Sequence, residues 1–330
     1  MEYTKLGMTG LTVSKYCLGT MTMGSSRWKP WVLDEREARP LLKRAVDAGI
    51  TFFDMANWYS LGENERIVCK ALLELAPRHR WVLATKTYYP MSDDPNDRGL
   101  SRKSILRSID ASLSRMGTDY VDLFIVHAFD ATTPVEETMA ALHDVVRAGK
   151  ALYLGASTMF AWQFSHMNHV ARENGWTSFV NMQCQYNLLY REEEREMIPY
   201  CRSSGIAVTG FSPLARGWLS EARGRRATAD QYYREFYGDA ADREILAEVT
   251  RIAAQRDVSM SEVALAWVRQ APDISCPIIG VSREEQLDKA VQALGLTLDA
   301  EDRSRLDALY RPRDVINDQV PHPRPRSREP

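Results

Sequence analysis

A short apolar run followed by an amphipathic stretch recurs eight times along this chain, and that alternation restricts the fold more than any other feature. The apolar runs fall at about 16–21, 51–54, 81–86, 121–126, 151–156, 178–183, 206–211 and 276–280. The stretches between them carry helix signals. Asp34 and Glu37 form a capping-box start to a helix that reaches Gly49, with Pro40 early in it. A second helix is expected over about 64–76, stopped by Pro77, and Ser101 caps a third whose Ile105, Ile109 and Leu113 share one face. Thr133 at the N-cap, Pro134 at the first helical position and Glu136 two further on predict a helix closed by Gly149. Others are expected up to about Asn174, over about 191–204 before Gly205, and near 241–256, 260–271, 283–294 and 299–310.

Strands alternating with helices predict a parallel α/β sheet, and eight units in roughly 270 residues match a closed (β/α)8 TIM barrel. An open doubly wound sheet is the alternative, but Gly19 to Gly24 lacks the G-x-G-x-x-G pattern of its dinucleotide-binding form. Residues 3–15 read as an N-terminal hairpin around Gly7-Met8-Thr9-Gly10. The expectation is one barrel domain over 1–310, ending in an extra C-terminal helix. A polar insertion near 216–240 breaks the rhythm, and the Pro- and Arg-rich tail 311–330, above all its last dozen residues, is expected to be poorly ordered.

Composition narrows the class. A net charge of -2 and a pI near 6.3 give no electrostatic reason to expect nucleic acid or an anionic membrane as partner. Cys17, Cys69, Cys184, Cys201 and Cys276 are odd in number and lack CxxC spacing, as in a reduced intracellular protein. No apolar run approaches the roughly 20 residues of a membrane span, and the N-terminus lacks the core of a signal peptide. A cytoplasmic enzyme or binding protein fits these facts.

Three of the runs end on an ionisable residue: Phe52-Phe53-Asp54, Leu83-Ala84-Thr85-Lys86 and Ile125-Val126-His127. Tyr59 follows five residues after Asp54. Singly, each has a plain structural explanation: a turn-capping Asp, an edge lysine, a core histidine. Together, at matched strand ends, they are what a barrel active site requires. A tyrosine with a pKa near 10 is a reluctant proton donor at neutral pH. An ammonium beside it stabilises the phenolate, and a carboxylate keeps that ammonium charged and in place.

Asp54, Tyr59, Lys86 and His127 in this order resemble the catalytic tetrad of the aldo-keto reductases, of the bacterial type related to potassium-channel β subunits. The resemblance extends from the hairpin to about Leu309. It implies Tyr59 as general acid, Lys86 and Asp54 as its tuning pair, and His127 as the group that orients the substrate carbonyl. It also implies a nicotinamide cofactor. Gly19, Thr20 and Met21 end the first strand beside it, together with Asp54. Ser157, Thr158 and Gln183 stand where the family holds the carboxamide, Thr158 replacing the Asn of many members. Phe211 takes the place of the stacking aromatic, and Ser212, Pro213, Leu214, Ala215, Arg216 and Gly217 resemble the loop folded over the pyrophosphate. Gly280, Ser282, Arg283 and Gln286 resemble the adenosine 2′-phosphate site, which favours NADPH over NADH, tempered by Glu284 and Glu285.

The implied reaction is reduction of an aldehyde, ketone or keto-sugar to an alcohol. Trp28, Trp31, Trp58, Tyr88, Tyr89, Phe129 and Trp218 lie just past strand ends, where with Tyr59 and His127 they suit a sizeable carbonyl substrate. Two other classes remain in view: a nicotinamide-binding regulatory subunit with little turnover, and a cofactor-free barrel lyase or isomerase. His166 and His169 lack a third ligand for a metal. The run Glu192-Glu193-Glu194-Arg195-Glu196 reads as a solvated helix start, and glycoside hydrolysis would need a second strand-end acid.

Overall fold

The computed structural model describes residues 1–221 and 235–316. Ten strands form two sheets among the described residues. β1 (Tyr3–Lys5) and β2 (Thr12–Ser14) make the antiparallel hairpin, Tyr3 pairing with Ser14. β3 (Cys17–Gly19), β4 (Phe52–Asp54), β5 (Val82–Thr87), β6 (Val121–Val126), β7 (Ala151–Ser157), β8 (Phe179–Gln185), β9 (Ala207–Phe211) and β10 (Ile274–Gly280) pair in parallel in chain order. β10 also pairs with β3, so the barrel closes.

Side-chain alternation along these strands explains the two cores. Phe52, Ala84, Leu123, Ile125 and Cys276 fill the barrel interior, while Phe53, Leu83, Phe124 and Val126 face the helices. Counting in twos from the interior residues leads to Asp54, Lys86 and His127, so the parity that packs the core also aims these groups inward. The hairpin occupies the opposite end. Leu6 and Val13 join the interior core, Met8 N donates to Gly205 O, and Ser14 Oγ accepts from Thr51 N. The open end is therefore the C-terminal one.

The outer helices are α1 (Glu35–Asp47), α2 (Glu63–Leu75), α3 (Arg102–Met116), α4 (Val135–Arg147), α5 (Ala161–Glu173), α6 (Met197–Ser204), α7 (Ala240–Arg256), α8 (Met260–Arg269), α9 (Glu284–Gln292) and α10 (Ala300–Leu309). The capping box of α1 forms as expected: Glu37 N donates to Asp34 and Asp34 N to Glu37. Two expectations need correction. α4 starts one residue late, with Pro134 as N-cap, because Asp130 captures the hydroxyls of Thr132 and Thr133. The acidic run at 192–196 is not a solvated helix start. Glu192–Glu194 form a separate 3-10 turn before α6. Glu192 is buried and accepts from Tyr310 Oη and Arg313 N, while Glu194 accepts from Tyr186 Oη and Arg191.

Glu192 thus anchors the first residues after α10. Arg313 reaches Asp239 and Asp242, and Ile316 N donates to Tyr190 Oη. The last dozen residues, and most of the 216–240 insertion, lie outside the described residues. All five cysteines are free and buried. Among the described residues no helix is long and apolar enough to cross a membrane.

Candidate active site

At the open end of the barrel lies a cavity of about 1760 Å³. That exceeds the roughly 300–1,000 Å³ of a single small-ligand site, and leaves room for two occupants. Asp54, Tyr59 and His127 line it, and Lys86 lies fully buried between Asp54 and Tyr59. Lys86 Nζ donates to Asp54 at 2.7 Å, to Met55 O at 2.8 Å and to Tyr59 Oη at 3.3 Å. Burial opposes its charge, but the Asp54 carboxylate and the Tyr59 phenol outweigh burial and hold its pKa above the ordinary lysine value. The ammonium is also 4.9 Å from the Tyr59 ring centroid. Register explains the convergence: Asp54 sits beside Ala84 on β5, so Lys86 is one inward layer further up.

His127 follows β6 directly, its backbone N–H bonded to Thr87 O at 3.0 Å. Burial, then the Lys86 ammonium, push its pKa well below the ordinary value. The imidazole is therefore neutral at physiological pH. Its Nδ1 is enclosed without a hydrogen-bond partner. The ring stands edge-on to Tyr59 at 5.9 Å and to Tyr89 at 4.8 Å between centroids.

Of the residues expected to hold a cofactor, Gly19, Met21, Ser157, Thr158, Gln183, Phe211, Ser212, Pro213, Leu214, Arg216, Gly217, Gly280, Ser282, Arg283 and Gln286 line the cavity. Thr20 and Ala215 do not. Thr20 is fully buried, its hydroxyl donating to Asp54 O at 2.8 Å, and it fixes the strand end behind the site. Gln183 reaches across the barrel, its amide donating to Asp54 at 3.0 Å. Gln286 accepts from the backbone N–H groups of Ser282 and Arg283 and from the Ser282 hydroxyl, closing the first turn of α9. Ser212, Ala215 and Arg216 all have φ between 47 and 57°, a sparsely populated backbone for non-glycine residues, as functional loops often hold.

The chemistry of this lining fits a dinucleotide. Hydroxyls and an amide flank an aromatic side chain near the tetrad, while Arg283 and Lys289 supply positive charge along α9. Lys289 was not singled out in the sequence; it stands 3.7 Å from Glu221. Trp31, Trp58, Tyr88 and Tyr89 wall the part of the cavity near Tyr59. Trp28 stands beside Tyr59, 6.3 Å between ring centroids, and packs edge-on against Trp58 at 5.1 Å, while Phe129 is buried and lies 6.1 Å from Trp162. Lys29, Asn96 and Arg98 at the rim carried no sequence signal, being ordinary polar loop residues until the fold gathers them.

A barrel with these groups at its C-terminal end is suited to nicotinamide-dependent oxidoreduction. The aldo/keto reductase family model matches residues 15–311, and the chain belongs to that family. It is 41% identical to an aldo-keto reductase of Fusarium vanettenii, over 96% of this chain and 92% of the relative. It is 40% identical to versiconal hemiacetal acetate reductase of Aspergillus parasiticus, over 96% and 98%. A Schizosaccharomyces pombe protein provisionally named an aryl-alcohol dehydrogenase is also 40% identical, over 94% and 96%.

Proposed function

We propose that this protein reduces an aromatic aldehyde or ketone to the alcohol with NADPH, and that Tyr59 donates the proton. The observation that carries this reading is the buried Lys86, bonded at once to Asp54 at 2.7 Å and to Tyr59 at 3.3 Å. Tyr59 would protonate the carbonyl oxygen, and the neighbouring ammonium would stabilise the phenolate left behind. Asp54 holds that ammonium in its charged form and in position. His127, kept neutral, is suited to donate a hydrogen bond to the carbonyl rather than to act as the acid.

When bound, NADPH supplies the hydride that the carbonyl carbon accepts. Ser157, Thr158 and Gln183 would hold its carboxamide, Phe211 would face the ring, and Ser212 to Gly217 would cover the pyrophosphate. Ser282, Arg283 and Gln286 would take the adenosine end, with the cations Arg283 and Lys289 favouring a 2′-phosphate. The aromatic wall of Trp31, Trp58, Tyr88 and Tyr89 supports an aryl or polycyclic substrate, in keeping with the names of the relatives.

Titration with NADPH and NADH, followed by NADPH oxidation with aromatic aldehydes, ketones and keto-sugars, tests the reading. It expects tighter binding of NADPH and turnover that is fastest on aryl carbonyls. Tight binding without turnover on any carbonyl would instead favour a regulatory nicotinamide-binding role. Failure to bind either nucleotide would remove the cofactor assignment.

A further inference from the structure

Tyr59 is delivered by an unusual piece of backbone. The three residues that follow it, Ser60, Leu61 and Gly62, have φ of 51°, 50° and 92°, so three left-handed residues in succession turn the chain from Tyr59 into α2. Two of them are non-glycine, and such a turn persists only where its surroundings hold it. Two contacts do so. On one side Ser60 Oγ accepts from Ser25 N at 3.0 Å, and Gly24 packs so closely that a Cβ there would lie 2.3 Å from that oxygen. On the other, Arg115 of α3 lies across Gly62, where a Cβ would come within 2.5 Å of its Cδ and Nε.

Arg115 is itself held. Its Nε donates to Glu65 at 2.6 Å and its terminal nitrogen to Ser112 Oγ at 3.1 Å. Glu65 has no exposed side-chain surface, and its second oxygen accepts from Thr85 Oγ1 at 2.5 Å. Thr85 is the chain neighbour of Lys86. A continuous path therefore runs from the turn behind Tyr59, through Arg115 and Glu65, to the strand that bears Lys86.

We propose that the Arg115–Glu65 pair is a positioning device for the proton-transfer site. It sets the Tyr59 turn against β5 and so sets the distance between the Tyr59 hydroxyl and the Lys86 ammonium. This rests on the reading of Tyr59 as proton donor. A buried carboxylate is costly unless paired and hydrogen-bonded, and apolar side chains would fill the space at no such cost. The pair does what they cannot. The Arg115 side chain crosses Gly62 through its Cδ and Nε, and the same Nε donates to Glu65 while a terminal nitrogen donates to Ser112, a fixed fork that a lysine ammonium cannot reproduce.

Glu65→Gln, Arg115→Lys and Thr85→Val test it beside Tyr59→Phe. For each, the pH profile of kcat on an aromatic aldehyde, the NADPH dissociation constant and the unfolding midpoint are measured. Loosening the clamp moves the phenol from the ammonium, so its deprotonation limb shifts to higher pH, and kcat falls by about tenfold or more in Arg115→Lys, with NADPH affinity held within about twofold. An alkaline limb and kcat that stay at wild-type values in folded Arg115→Lys and Thr85→Val would overturn the proposal, as would a loss of kcat matched by lost NADPH binding. Thr85→Val leaves the ion pair intact, so the test survives if Glu65→Gln does not fold. Wild-type turnover in Tyr59→Phe would overturn the proton-donor reading and this inference with it. Loss in Tyr59→Phe with unmoved clamp variants overturns the clamp alone.

Discussion

Replacing Lys86 by Met deletes a fully buried ammonium and strands its partner. Asp54 is 3% exposed, and without Lys86 it keeps the Gln183 amide at 3.0 Å and no neutralising charge from that side chain. Removing one partner of a buried ion pair costs about 3–5 kcal/mol. With an unfolding entropy of about 2.1 cal/mol/K per residue over 330 residues, roughly 0.7 kcal/mol/K in all, the melting midpoint should fall by about 4–7 °C. Adding Asp54→Asn in the same chain removes the stranded charge. The double variant should therefore regain about half or more of the loss, which is the non-additivity of a coupled pair. Differential scanning calorimetry of wild type, both single variants and the double variant at neutral pH reads this directly. A Lys86→Met midpoint within about 1 °C of wild type, or a double variant that falls by the sum of the singles, would refute the reasoning.

His127 gives a pH prediction with a definite sign. Its folded pKa is depressed by burial and by Lys86, so below about pH 6.5 the unfolded chain binds a proton that the folded chain refuses. Stability from this group is present above that pH and is lost as pH falls, at up to about 1.4 kcal/mol per unit. His127→Asn should flatten that part of the unfolding-midpoint curve between pH 7 and 5, and an unchanged slope would contradict it. Arg313→Ala removes charge-assisted bonds to Asp239 and Asp242, worth about 1.5–3 kcal/mol, so amide exchange over 239–243 should accelerate by roughly ten- to a hundredfold. Unchanged exchange there would mean that the segment after α10 does not hold this region. Gly24→Ala pushes a methyl into Ser60, so it should lower kcat more than NADPH affinity and reduce the melting midpoint; wild-type kcat would show that the Tyr59 turn tolerates displacement.

The strands and the strand-end placement of Asp54, Lys86 and His127 were legible from the apolar runs, while the inward aim of all three follows from period-2 alternation once the barrel closes. Tyr59 was legible from its distance to Asp54, but the left-handed turn behind it was not, since Ser60 and Leu61 are not residues that announce positive φ. The tertiary bonds of Glu192 and Glu194 were hidden for a different reason. Acidic residues ahead of a helix satisfy a local rule, and their partners Tyr310, Arg313 and Tyr186 are brought to them by tertiary packing. Glu65 was opaque likewise: an acid in the first turn of a helix looks solvated until Thr85 and Arg115 close over it. The packing of Phe129 on Trp162 depends on loop conformation, which aromatic content does not encode.

The most direct test of the central claim is single-turnover mixing of the NADPH complex with an aromatic aldehyde, wild type against Tyr59→Phe, followed by nicotinamide absorbance. If Tyr59 is the proton donor held by Lys86, the variant binds NADPH as wild type does while reduction slows by about 10²–10⁴-fold. Reduction at the wild-type rate by Tyr59→Phe would contradict the account and place the proton donor elsewhere.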